Sequence, residues 1–87
     1  MTFYVYLLLS LGSKKPITYV GYTNNLSKRL KSHNNGTGAK FTRGRKWKII
    51  YKRKYENKSI SMREEYKLKN NYKLRKKIKS QSLKDVF

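Results

Sequence analysis

The sequence predicts an α+β domain, a small sheet with helices packed on it in the order β-β-α-β-α-α. Two β-branched and aromatic runs open the chain, a third follows residue 46, and the segments between and after them repeat apolar residues at helical spacing. At 87 residues the chain has room for one domain and a single modest core. That domain is assigned to residues 1–80, and residues 81–87 are expected to fray, with Val86 and Phe87 the positions able to dock.

Each element has a local cause. In residues 1–10 the side chains from Phe3 to Leu9 are almost continuously aromatic, β-branched or aliphatic. Because both faces are apolar, this strand is expected at the centre of the sheet. Gly12, Ser13, Lys14, Lys15 and Pro16 mark a turn, and residues 17–22 form the second strand of a hairpin. Thr23 or Asn24 can cap a helix carrying Leu26, Arg29, Leu30 and His33, which Asn34, Asn35 and Gly36 stop. A basic loop over residues 36–45 leads to a third strand, where Trp47, Ile49 and Tyr51 alternate with Lys48, Ile50 and Lys52. Asn57 and Ser59 offer caps for a helix over residues 59–72, while Ser61 and Glu64 fit the capping-box spacing. Asn70 and Asn71 break that helix, and residues 72–80 form a short basic one.

Composition narrows the function. The chain has 23 Lys and Arg against four acidic residues, a formal charge of +19. Such self-repulsion in a small domain points to a polyanionic partner, nucleic acid before an anionic membrane surface. A genome bias toward Lys, Asn and Ile would supply lysines without explaining the scarcity of acids. With no cysteine and one histidine, disulfides, thiolate zinc sites and multi-histidine cages are excluded within one chain. A carboxylate–water site for a hard cation such as Mg²⁺ remains open. The apolar run of residues 5–9 is too short to span a bilayer and is followed by no signal-peptide cleavage pattern. A reducing, cytoplasmic or nucleoid-associated setting without a membrane partner is expected.

Glu65 is the acidic residue that stands out. At about 100° per residue, Met62, Leu68 and Tyr72 fall on one side of the helix and Glu65 lies within their arc. A carboxylate in an apolar stripe costs free energy unless a cation, a metal or hydrogen bonds compensate. Arg29 intrudes in the same way between Leu26 and His33. A structural Arg29–Glu65 ion pair accounts for both as well as a site does. Tyr6 and Tyr19 meet on one sheet face if the first two strands pair, and ordinary packing also explains them. Glu64 competes with Glu65 but lies about 100° away, on the less apolar side.

Taken in order, these residues resemble a known family. Tyr4-Val5-Tyr6, Tyr19-Val20-Gly21, Arg29, His33 and Glu65 follow the order and spacing of the GIY-YIG nuclease superfamily. The stretches Tyr19-Val20-Gly21-Tyr22-Thr23-Asn24-Asn25-Leu26, His33-Asn34, Gly38-Ala39-Lys40-Phe41-Thr42 and Arg63-Glu64-Glu65-Tyr66 resemble its short, single-domain bacterial branch. Tyr4 replaces the glycine of the first triplet, and valine replaces isoleucine in both, without loss of a functional side chain. The resemblance implies a three-stranded antiparallel sheet flanked by helices, and phosphodiester hydrolysis with one divalent metal. It implies Glu65 as the metal-holding carboxylate for Mg²⁺ or Mn²⁺, and Arg29 on the phosphate. It also implies Tyr6 and Tyr19 beside the attacking water and His33 hydrogen-bonded to a tyrosine. Tyr6 is favoured as the base, with Tyr19 orienting water or phosphate.

Two basic tracts flank this set. Lys40, Arg43, Arg45 and Lys46 enter the third strand, and Lys69 and Lys73 follow Glu65. They are expected to grip phosphates, with affinity falling steeply as salt rises. Phe41 and Trp47 are candidates for stacking on bases, although Trp47 also suits the core. No sequence-reading module is recognisable, so specificity is expected to be loose or borrowed from an accessory protein. Single-stranded or structured DNA is the expected substrate. A non-catalytic nucleic-acid-binding module and an RNA-associated basic protein are the alternatives.

Overall fold

In the computed structural model, which describes residues 2–11 and 15–86, three antiparallel strands form one sheet. They are β1 (Phe3–Ser10), β2 (Ile17–Thr23) and β3 (Lys48–Tyr55), in the order β2-β1-β3. The doubly apolar strand is central, as expected. Residues 12–14 of the expected turn lie outside the described residues. Both outer strands keep a charged or open flank, and β3 exposes Lys48, Lys52, Arg53 and Lys54.

The register sorts side chains onto two faces. Tyr6 pairs with Gly21 and Leu8 with Tyr19, so Tyr6 and Tyr19 share a face. On β3, Leu7 faces Tyr51 but Leu8 faces Ile49, which leaves Ile50 as a bulge. The strict alternation expected from Trp47 through Tyr51 therefore fails. Ile49 joins Tyr6, Leu8 and Trp47 on one face, whereas Ile50 and Tyr51 pack with Val5, Leu7, Val20 and Leu68 on the other. One extra residue moves every later side chain to the opposite face. The single core expected for this chain length is thus divided by the sheet into two apolar clusters.

Helix α1 (Leu26–Asn35) covers the Tyr6 face through Leu26 and Leu30. Its cap is Asn25, one residue beyond the expected Thr23 or Asn24. The Asn25 side chain accepts from Lys28 N at 3.1 Å, and Thr23 Oγ1 accepts from Asn25 N at 3.1 Å. Gly36, at φ 80°, ends the helix in the left-handed region. A single 3-10 turn, Lys40–Thr42, lies in the loop before β3.

Helices α2 (Lys58–Asn70) and α3 (Tyr72–Val86) cover the other face. Asn57 caps α2 by accepting from Ile60 N at 2.8 Å, and Ser61 donates to Lys58 O at 2.8 Å, so no Ser61–Glu64 capping box forms. Asn71 breaks the run and caps α3 by accepting from Leu74 N at 3.0 Å. The apolar arc is also different from the one expected: Ser61 and Leu68 are buried, but Met62 and Tyr72 are 48 % and 65 % exposed. Glu64 and Glu65 sit half-buried between the two buried positions. α3 does not stop near Ser80. Its face of Leu74, Ile78 and Ser82 lies along Ile50 and Tyr51, which carries the helix on to Val86. Among the described residues no helix is long and apolar enough to cross a membrane.

Candidate active site at the outer edge of the sheet

The site begins at Gly21. A Cβ there would collide with the hydroxyl and ring carbon of Tyr6, so only glycine lets the Tyr6 ring lie across its β2 partner toward the free edge of the sheet. Tyr6 is 1 % exposed, so its hydroxyl must find its partners within the protein. From α1, His33 meets it, with Nε2 2.9 Å from the Tyr6 oxygen. The other imidazole nitrogen, Nδ1, lies 2.9 Å from Thr42 Oγ1. Thr42 in turn donates to the carbonyl of Ala39 at 2.8 Å.

One assignment of protons uses every donor in this chain. Thr42 spends its single hydroxyl proton on Ala39 O, so it accepts from His33 Nδ1–H. Nε2 is then an unprotonated acceptor, and Tyr6 donates to it. Burial, and then the charge of Arg29, lower the His33 pKa, which keeps the ring neutral. Burial raises the Tyr6 pKa. Arg29 opposes that rise through its side-chain hydrogen bond and charge, while Tyr19 and Glu65 add upward pushes.

Arg29 therefore acts on both Tyr6 and His33, one helical turn from the imidazole on α1. Tyr19 packs its ring edge-on to His33, with centroids 5.2 Å apart, and stacks on Phe41 at 5.9 Å and 20°. Glu65 approaches from the opposite layer, near enough for its charge to act on Tyr6. Glu64 turns away, pairing with Lys67 at 3.2 Å and acting on Tyr55. Among the described residues no ion pair joins Arg29 to Glu65. The structural pair that would have explained both residues without a site does not form.

The basic candidates divide. Lys69 lines a groove of about 390 Å³ with Thr18, Tyr19, Val20, Phe41 and Arg75. Lys40 is exposed in the 3-10 turn next to Phe41. Arg43, Lys46 and Lys73 are exposed and Arg45 is half-buried; none of the four lines this groove. Trp47 is buried and donates from Nε1 to Thr42 O at 3.0 Å, so of the two aromatic candidates only Phe41 is open to a base.

Several supporting residues are not among the catalytic candidates of the sequence reading. Thr42 orients His33. Gly38 passes so close that a Cβ would come within 2.6 Å of His33 Nδ1. Asn34 clamps the start of β3, accepting from Trp47 N at 2.6 Å and donating to Trp47 O at 3.1 Å. Arg75 donates from Nε to Leu68 O at 3.1 Å, closing the end of α2. The short run from Gly38 to Thr42 signals this loop, but only the folded chain shows that its threonine meets the histidine.

Comparison with known proteins places the chain in a family. The profile of the GIY-YIG catalytic domain matches residues 2–79. A UPF0213 protein of Clostridium perfringens is 48 % identical over 86 residues, covering 94 % of this chain and 88 % of its own length. A UPF0213 protein of Oceanobacillus iheyensis is 48 % identical over 67 residues, covering 76 % of this chain and 74 % of its own. The solution NMR structure of a UPF0213 protein from Bacillus halodurans is 39 % identical, with a TM-score of 0.49 over 97 % of this chain and 86 % of that one. With the profile spanning all three strands and most of the chain, the chain belongs to the GIY-YIG family.

Proposed function

We propose that this protein is a divalent-metal-dependent endonuclease that hydrolyses phosphodiester bonds in single-stranded or structured DNA at the free edge of β2. The observation that carries this reading is the buried Tyr6–His33–Thr42 chain, which holds an unprotonated imidazole nitrogen against a phenol beside a guanidinium.

A water attacking phosphorus must lose a proton. Tyr6 accepts it while passing its own proton to His33 Nε2, so the phenol conducts and the imidazole receives. A free phenolate is the costlier route: the ordinary tyrosine and histidine values differ by about 3.5 pK units, or about 5 kcal/mol. The shifts of both residues widen that gap here. The imidazolium formed still donates to Thr42 and Tyr6. Burial and Arg29 both disfavour it, so its proton is readily lost and the site resets. Arg29 offsets the additional negative charge on the pentavalent phosphorus. Tyr19 walls the imidazole and orients water or phosphate with its hydroxyl.

Glu65 is the residue that would hold Mg²⁺ or Mn²⁺. Among the described residues no three His, Cys, Asp or Glu side chains gather. A lone carboxylate suits a hard cation that keeps several waters and takes further oxygens from a substrate phosphate. When bound, such an ion stabilises charge on the scissile phosphate and the leaving 3′ oxygen.

The test is incubation of labelled single-stranded, duplex and branched DNA, with RNA in parallel, in Mg²⁺, Mn²⁺ or EDTA. Metal-dependent cuts leaving 5′ phosphate ends are expected. Full activity in EDTA or in Glu65→Ala would overturn the metal site, and tight binding without cleavage in either metal would favour a binding module.

A further inference from the structure

We propose that the groove along the free edge of β2 is a stacking site for unpaired nucleobases, so that the site engages single-stranded DNA in preference to continuous duplex; this rests on the nuclease reading above. Two exposed aromatic residues mark it. Phe41 is 58 % exposed, and its inner face is stacked on Tyr19, which is braced by His33 and by Trp47 at 6.4 Å. Its outer face is held in a fixed orientation. Tyr72 is 65 % exposed, with the Arg75 guanidinium 5.8 Å from its ring centroid.

The space between them is continuous in composition. The groove beside Phe41 and the cleft beside Tyr72 share Thr18 and Arg75 as lining residues. Lys69 lines the first, and Lys76 and Lys79 line the second; neither contains an acidic residue. Aromatic faces in a wall whose charged residues are all cationic suit a ligand with planar rings and anionic links, which is a nucleic-acid strand. At about 390 Å³ the larger groove falls in the range of small-ligand pockets. Duplex bases are already stacked on each other and offer no free face, so the groove selects unpaired ones. Tyr19 belongs both to the groove and to the proposed site, so a base lodged there would lie next to the site.

Binding measured in EDTA separates this inference from the nuclease reading. The probes are a fluorescent single-stranded oligonucleotide and an abasic strand of equal length, which has the same phosphates and no rings. The wild-type protein is expected to bind the base-bearing strand more tightly. Phe41→Ala is expected to weaken that binding by about ten- to a hundredfold, with a much smaller effect on the abasic strand. Tyr72→Ala should act in the same direction, and Phe41→Trp should retain the preference. Equal binding of the two strands by wild type, or an unchanged ratio in Phe41→Ala, would overturn the stacking site even if metal-dependent cleavage is observed. Base-dependent binding without cleavage in any metal would instead overturn the nuclease reading alone.

Discussion

Acidification should destabilise this protein through His33, and the direction of the effect follows from its surroundings. The ring is fully buried and is faced by Tyr6 from β1, Tyr19 from β2, Arg29 from its own helix and Thr42 from the loop. Burial first, and then Arg29, hold its pKa below the ordinary value of about 6.5. In the unfolded chain the same ring takes up a proton near pH 6.5, so below that pH the unfolded state binds more protons than the folded one. Stability therefore falls as pH drops from about 6.5 to the folded pKa, and this contribution levels off below it. The limiting slope for one proton is about 1.36 kcal/mol per pH unit. For a domain of this size that corresponds to about 5–11 °C in Tm per unit. The assay is unusually direct because the chain has one histidine, so ¹⁵N-labelled imidazole gives one set of ring signals. Those signals should report Nδ1–H and unprotonated Nε2 at neutral pH, with a titration midpoint below 6.5. Thr42→Val should remove the preference for that tautomer. An Nε2–H tautomer, or a midpoint at or above 6.5, would refute the proton assignment and with it the proposed relay.

Three further outcomes follow from the same geometry. Cleavage rate should rise with pH only up to the His33 titration and then level, whereas a free-phenolate base would keep the profile of kcat/KM climbing toward pH 10. Glu65→Gln should reduce metal-dependent cleavage by at least about a hundredfold, while Glu64→Gln, which removes the pair with Lys67 away from the proposed site, should change it little in the same assay. Gly21→Ala forces a methyl group into the Tyr6 phenol and should cost about 1–3 kcal/mol, read as a lower Tm in thermal unfolding; an unchanged Tm would show that Tyr6 does not occupy the place described.

What could be read before folding was mostly what depends on local pattern. The doubly apolar first strand declared itself central, and Gly36 and Asn71 marked helix ends because glycine and asparagine have specific capping chemistry. The residue types at Tyr6, Tyr19, Arg29, His33 and Glu65 were legible through order and spacing. Their partners were not. Thr42 meets His33 only because Asn34 clamps Trp47 and folds the intervening loop back over α1, a contact set by tertiary packing. The bulge at Ile50 leaves no local signature in an alternating run, so the faces of β3 could not be assigned from period alone. Glu65 was placed on the right helix with one right neighbour, Leu68, and two wrong ones. Its projection treated residues 59–72 as one helix, but the break at Asn71 resets the phase before Tyr72, and Ser61 rather than Met62 occupies the buried position.

The location of the proposed site follows from the way the sheet divides the molecule. Tyr6, Tyr19, Arg29 and His33 belong to the layer covered by α1, whereas Glu65, Lys69 and Arg75 come from helices packed on the opposite face. Groups on two sides of a sheet can cooperate only around a free edge. β3 closes one side of the central strand with a charged outer strand, which leaves β2. The glycine opposite Tyr6 is what makes that edge usable, because it lets a core phenol reach past its partner strand to where the carboxylate's charge is felt. Tyr19, two residues earlier on the same strand and the same face, then lines the groove that leads along the edge to Lys69 and Arg75. A nuclease built this way needs a strand that is thin at one residue and aromatic two positions away, and Tyr19-Val20-Gly21 meets both needs while its middle valine anchors the strand in the opposite core.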